Sequence, residues 1–137
     1  MNGEMVIQFS AAAQIRLILA SNIASQVQQL TRDLQRSKYA YAFSHHPERK
    51  RFLTAMRNLL NREDDCLPTV VVLDYGFAAQ DCALILRLIR EAASKRAIAC
   101  VITHPPADPG TRRILTGLGA RLFDGTEEFA LSELAFH

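Results

Sequence analysis

The apolar positions of this chain alternate between short continuous runs and longer stretches with helical spacing. Ile15-Arg16-Leu17-Ile18-Leu19 is a short aliphatic run and predicts a strand. Ile23, Val27, Leu30 and Leu34 then recur on one helical stripe, with Ser21 or Asn22 available to cap it. Tyr39 to Phe43 alternates aromatic residues with alanine, which is the period of a strand. Pro47 can open a second helix, because its missing amide would be unpaired there anyway. That helix would bury Phe52, Leu53, Met56, Leu59 and Leu60. A polar loop over 61–67 leads to Thr69-Val70-Val71-Val72-Leu73-Asp74. This continuous β-branched and aliphatic run reads as a strand covered on both faces, the habit of a parallel sheet.

The second half repeats the alternation. Leu84, Ile85, Leu88 and Ile89 mark a helix over roughly 80–94. Residues 97–102 form another apolar run, ending at Thr103. Asp108-Pro109 is a cap followed by a first-turn proline, and Gly117 and Gly119 end the short helix so begun. Arg121-Leu122-Phe123 is a weak strand. Thr126-Glu127-Glu128 starts a last helix through Phe129, Leu131 and Leu134. Five strands alternating with five helices predict an α/β domain over 15–137, with a parallel sheet between helical layers. Residues 1–14 read as a lead-in in which Val6, Ile7 and Phe9 pack locally.

Composition narrows the function classes. The chain has 137 residues, 49% of them hydrophobic, which suits one domain with a real core. No apolar run is long enough to cross a bilayer. The start Met1-Asn2-Gly3-Glu4-Met5 lacks the basic and apolar regions of a secretory signal. Cys66, Cys82 and Cys100 have no metal-ligand spacing, which fits reduced thiols in a cytoplasmic protein. A net charge of +2 does not argue for nucleic acid. Lys38, Lys50 and Lys95 are the only lysines.

Asp74 stands at the carboxyl end of a central strand, the edge where open α/β sheets gather their ligands. Thr103 stands at the corresponding end of the next strand. In element order and in these two positions, the chain from about Ile15 onward resembles the receiver domain of two-component response regulators. The resemblance implies a flavodoxin-like, doubly wound sheet of five parallel strands in the order 2-1-3-4-5. It makes Asp74 the candidate phospho-acceptor and Thr103 the candidate switch hydroxyl. Ala20, Ser21, Asn22, Gly76 and His104 would line the pocket around them.

The departures from the family pattern are as informative as the match. Receivers carry an acidic pair after the first strand that helps to hold Mg²⁺; here Ala20 and Ser21 occupy those places. Mg²⁺ wants a near-octahedral set of hard oxygens, so no cofactor is expected and Mg²⁺ least of all. Receivers also place a lysine at the end of the fifth strand, and no lysine follows Lys95. Phosphoryl transfer is mostly positioning plus charge stabilisation, and both supports are missing. The chain therefore reads as a degenerate receiver, or pseudo-receiver.

Other clusters carry less. His104 could supply the missing cation beside Asp74, or be a structural residue ahead of Pro105-Pro106. The acidic cluster Glu63-Asp64-Asp65 precedes the Asp74 strand, so it lies roughly 17 Å away at the other end of the sheet. His45-His46-Pro47-Glu48-Arg49-Lys50-Arg51, with Arg57 and Arg62 beyond, reads as a charged exposed patch. There is no Gly-x-Ser-x-Gly turn and no glycine-rich phosphate loop.

The leading expectation is a stand-alone signalling adaptor, not an enzyme, that acts by binding a protein partner or a second copy of itself. Kinases, phosphotransfer proteins and other signalling proteins are the partners that the resemblance implies. It places the contact face at about 108–136, with Arg112, Arg113, Arg121 and Phe136 as contributors. Two alternatives remain: a working single-domain response regulator phosphorylated on Asp74, and a small-molecule-binding α/β domain. An inert Asp74 is expected to tolerate Asn with little change in stability.

Overall fold

The computed structural model describes residues 5–8, 15–36, 41–62, 67–93 and 97–123. In chain order these form strand β1 (Met5–Gln8), strand β2 (Ile15–Ala20), helix α1 (Ala24–Arg36), strand β3 (Tyr41–His46) and helix α2 (Arg49–Leu60). Strand β4 (Thr69–Asp74), the single turn α3 (Tyr75–Ala78) and helix α4 (Cys82–Ala92) follow. Strand β5 (Ile98–Thr103), helix α5 (Pro109–Gly117) and strand β6 (Arg121–Phe123) complete the set. The expected last helix from Thr126, the acidic cluster at 63–65 and Phe136 lie outside the described residues.

All six strands join one sheet in the order β1-β3-β2-β4-β5-β6. From β2 onward they are parallel. Counted from β2, the parallel set stands in the expected order 2-1-3-4-5. The sixth strand corrects the sequence reading: part of the lead-in, β1, runs antiparallel along β3, with Met5 opposite His45 and Gln8 opposite Ala42. Without it, β3 would present a bare row of amides and carbonyls at the sheet edge.

The apolar runs are continuous because each central strand feeds two cores. On one face Ile18, Ala20, Val71, Leu73, Cys100 and Ile102 pack with Phe52 and Met56 of α2, Ile85 and Leu86 of α4, and Leu115 of α5. On the other, Leu17, Leu19, Val70, Val72 and Val101 pack with Leu30 and Leu34 of α1 and with Phe43. Successive strand residues point to opposite faces, so both faces of the middle of these strands take apolar residues and the polar ones stand toward the ends. The buried face of α4 is Cys82, Ile85, Leu86 and Ile89, while Leu84 is exposed.

Local signals set the ends of the elements, with some shifts. Asp108 caps α5 by accepting from the Thr111 amide at 2.8 Å, and Pro109 fills its first turn as expected. Pro47 does not open α2; the helix starts two residues later with Glu48 as its cap. Strand β3 extends past Phe43, so His45 and His46 are buried strand residues rather than members of an exposed basic patch. Within that patch Arg49 pairs with Asp81 and Arg51 with Glu48, at 3.3 and 3.4 Å.

The end of α5 depends on one glycine. The Ala120 amide donates to the Leu115 carbonyl and the Gly119 amide to that of Thr116. This is a Schellman ending, with Leu115 and Ala120 meeting in the core. Gly119 takes φ +98°, and a Cβ there would meet nothing within 4 Å. Gly119→Ala should therefore act through backbone strain alone, costing about 1–2 kcal/mol in a urea titration. The buried thiols give a second test. Burial, aided by Asp81, pushes the Cys82 thiol up to about 12, and burial raises Cys100 further. Neither should react with iodoacetamide at about pH 8 while the protein is folded, since the thiolate is the nucleophile. Peptide mapping after urea unfolding should show both labelled.

Candidate functional site

The parallel register brings the candidate residues together. Asp74 is the partner of Thr103 across β4 and β5, and Ala20 pairs beside Leu73 on the other flank. Asp74 is also the cap of α3: its Oδ2 accepts from the Phe77 amide at 3.2 Å. Gly76 lies within this turn, and a Cβ there would sit 3.5 Å from Asp74 Oδ2, an ordinary contact.

The other carboxylate oxygen is engaged as well. Asp74 Oδ1 accepts from Thr103 Oγ1 at 3.4 Å and from His104 Nδ1 at 2.7 Å. Thr103 Oγ1 in turn accepts from Gln26 Nε2 of α1 at 2.8 Å. The bonds run in one consistent sense: amide N–H to hydroxyl, hydroxyl to carboxylate, imidazole N–H to the same carboxylate. The Asp74 side chain is 5% exposed, whereas that of His104 is 64% exposed. Asp74 thus lies beneath its donors.

His104 reaches Asp74 by an unusual backbone turn. Its φ is +51°, the left-handed region that costs a residue with a Cβ about 1–2 kcal/mol. The turn folds the ring back over the strand ends. Beyond it, Arg112 of α5 donates to the Pro106 carbonyl at 3.2 Å, which ties the loop down a second time.

The flank formed by Ala20, Ser21 and Asn22 is closed. Ala20 and Ser21 are fully buried and Asn22 is exposed. Ser21 does not cap through the first helical turn; its Oγ accepts from the Ile23 amide at 3.1 Å, just ahead of α1. The Ser21 carbonyl accepts from His45 Nε2 at 2.7 Å, which fixes the proton on that nitrogen. A hard divalent cation does not fit this donor set. Asp74 offers a single carboxylate that already accepts three hydrogen bonds, Ala20 has no side-chain oxygen, and that of Ser21 serves the backbone. Among the described residues no cluster of three or more His, Cys, Asp or Glu side chains could hold a metal.

Of two further residues at this site, Gln26 was not singled out from the sequence and His45 was read there only as part of the charged patch. Gln26 interrupts the apolar stripe of α1, three residues after Ile23 and four before Leu30, so it faces the sheet. His45 continues the inward alternation of Tyr41 and Phe43. A polar residue on an otherwise apolar inner face was the available signal in both cases. Of the proposed contact face, Arg113 and Arg121 are exposed, Arg112 is half-buried against the Pro106 loop, and Phe136 lies outside the described residues.

Comparison with known proteins follows the fold. No family model matches the sequence, and no curated protein matches it. Among solved structures, a response regulator receiver domain from Rhodospirillum rubrum superposes with a TM-score of 0.64 at 16% identity, over 85% of this chain and 87% of that one. A response regulator from Thermotoga maritima superposes with a TM-score of 0.55 at 13% identity, over 88% of this chain and 91% of that one. With its five parallel strands in the order 2-1-3-4-5, this chain has the fold of a response regulator receiver domain.

Proposed function

We propose that this chain is a receiver-like signalling module that works by binding a protein partner, without catalysis and without Mg²⁺-dependent phosphorylation of Asp74. The observation that carries the reading is the state of Asp74. Its carboxylate accepts three hydrogen bonds from Phe77, Thr103 and His104, and its side chain is 5% exposed. A phospho-acceptor needs a free oxygen in line with the donor and a cation to offset charge. Here each oxygen already accepts an internal hydrogen bond in a carboxylate withdrawn from solvent, and Ala20-Ser21 stand where the cation-holding acidic pair would be.

A domain without a phosphoryl switch acts through its surface. Arg113 and Arg121 are exposed, and so is Ile114, at 62%. This mix of arginine and an apolar side chain suits the contact face inferred at 108–136. The partner chemistry that matches it is an acidic surface with an apolar centre, on a signalling protein or on a second copy of this chain. No helix among the described residues is long and apolar enough to cross a membrane, and the reading places the protein in the cytoplasm.

The direct test is incubation with acetyl phosphate and Mg²⁺, followed by intact mass and peptide mapping. No alkali-labile acyl phosphate should form on Asp74; a stoichiometric one would establish the working response regulator instead. Magnesium titration should show no saturable, Asp74-dependent binding below ~1 mM. The geometry also revises the expected effect of Asp74→Asn. Asparagine turns an NH₂ group toward one of the three donors, leaving that donor unsatisfied. The variant should lose about 1–3 kcal/mol of stability in urea. An unchanged midpoint would mean that the donors do not hold the carboxylate.

A further inference from the structure

The end of the sheet away from Asp74 holds a cavity of about 300 Å³, between the last two turns of α4, the start of β5 and the end of α5. Leu86 and Ile89 of α4, Ile98 and Cys100 of β5, and Leu118 just beyond α5 line it. Leu86, Ile89 and Cys100 are buried, and Ile98 and Leu118 are half-buried. Gly117 and Gly119 leave one side open, since a Cβ on either would meet nothing within 4 Å. Ile98 begins β5 and Thr103 ends it, so the cavity lies roughly 17 Å from the Asp74 end.

Two kinds of donor face this space without a partner, a backbone amide and a guanidinium. The Thr69 amide donates to the Ala97 carbonyl at 2.9 Å, so residues 97, 99 and 101 turn their backbone groups to β4. Ile98 and Cys100 turn theirs the other way, toward the side of β6. β6 starts only at Arg121, opposite Val101, so below that point the cavity takes the place of a neighbouring strand. The Cys100 amide has no acceptor among the described residues, although the residue is 2% exposed. Buried amides are nearly always paired, so this one calls for an acceptor supplied from the cavity. Arg90 is exposed at the rim and is the only charged residue on the lining. It has no hydrogen-bond or ion-pair partner among the described residues.

An apolar cavity with a few polar groups selects its ligand by the chemistry of those groups. Apolar walls take a hydrocarbon body. A guanidinium prefers an anionic oxygen to a neutral one, and planar carboxylate matches its fork. Burial keeps the Cys100 thiol protonated, so no negative charge on the lining opposes an anion. We propose that this cavity binds a small carboxylic acid with an apolar body. The hydrocarbon lies against Leu86, Ile89 and Leu118, and the carboxylate accepts from Arg90 and from the Cys100 amide. The Arg90 side chain is long and unpaired among the described residues, so its fork can follow the carboxylate inward. The volume stands at the lower end of the roughly 300–1,000 Å³ of small-molecule sites, which suits one short chain or ring and not a two-chain lipid.

The test is a calorimetric titration of the full chain with octanoate below its micellar range, with 1-octanol as the uncharged control. Octanoate should bind saturably, and octanol on the order of tenfold more weakly, because a hydrogen bond to a charged group is lost. Arg90→Gln should weaken octanoate on the order of tenfold and leave octanol unchanged. Gly117→Leu fills the cavity from a helical position where a Cβ meets nothing, and should abolish binding of both ligands while a urea titration shows the fold intact. In amide-resolved NMR of the wild-type chain, the Cys100 resonance should move on adding octanoate, and those of Asp74 and Thr103 should not. Absence of saturable octanoate binding would overturn the proposal, as would binding that survives Gly117→Leu, or resonance shifts centred away from Cys100. Equal affinity for octanol, or wild-type octanoate affinity in Arg90→Gln, would overturn the assignment of a carboxylate.

Discussion

A carboxylate placed inside a protein must be met by donors, and much of this molecule's upper edge is organised by that requirement. Asp74 ends the most buried strand of the sheet. Leaving its charge unpaired there would cost several kcal/mol, roughly the whole margin of a small domain. Phe77 meets it through the backbone, Thr103 from the neighbouring strand, and His104 from the loop beyond. Each donor constrains something else. The amide bond starts α3, the hydroxyl bond orients Thr103 toward Gln26 of α1, and the imidazole bond sets the turn before the two prolines. One charge thus ties the first helix, the two central strands and the entry to α5 together.

The same fold therefore carries a different balance of forces at its ligand edge. A sheet with crossover helices always produces a crevice at the carboxyl ends of its central strands. What occupies the crevice is decided by a few side chains, independent of the architecture. Here the groups that could accept an incoming anion or cation have turned inward on each other. The folded state gains their hydrogen bonds, and the cost is a carboxylate withdrawn from solvent. His104 is the most exposed member of the set.

Much of this was legible in the sequence, for identifiable reasons. The run ending at Asp74 and the run ending at Thr103 gave the two central strands, because doubly covered strands tolerate no polar interruption. Asp108-Pro109 gave the start of α5, because cap and first-turn chemistry are local. β1 was not legible: four residues are too few to show a period, and their pairing depends on an edge built much later in the chain. The burial of His45 and His46 was masked by the arginines after them, although alternation from Tyr41 pointed inward. At the site, the proximity of Asp74 and Thr103 followed from strand order. The His104 bond did not, because it depends on a positive φ that no residue pattern announces for histidine. Gln26 required knowing which face of α1 meets the ends of the strands.

The antiparallel strand β1 bears on how the molecule is made. Its hydrogen-bond partners all belong to β3, which comes after β2 and the whole of α1. During vectorial synthesis β1 therefore leaves the ribosome before its partner and has no native pairing until β3 has emerged and aligned on β2. The parallel pairs must form across long intervening segments, which is slow relative to helix formation. β1 is then a late closure, laid on an edge already assembled. β1 is thus made before every other described element and is among the last to be structured.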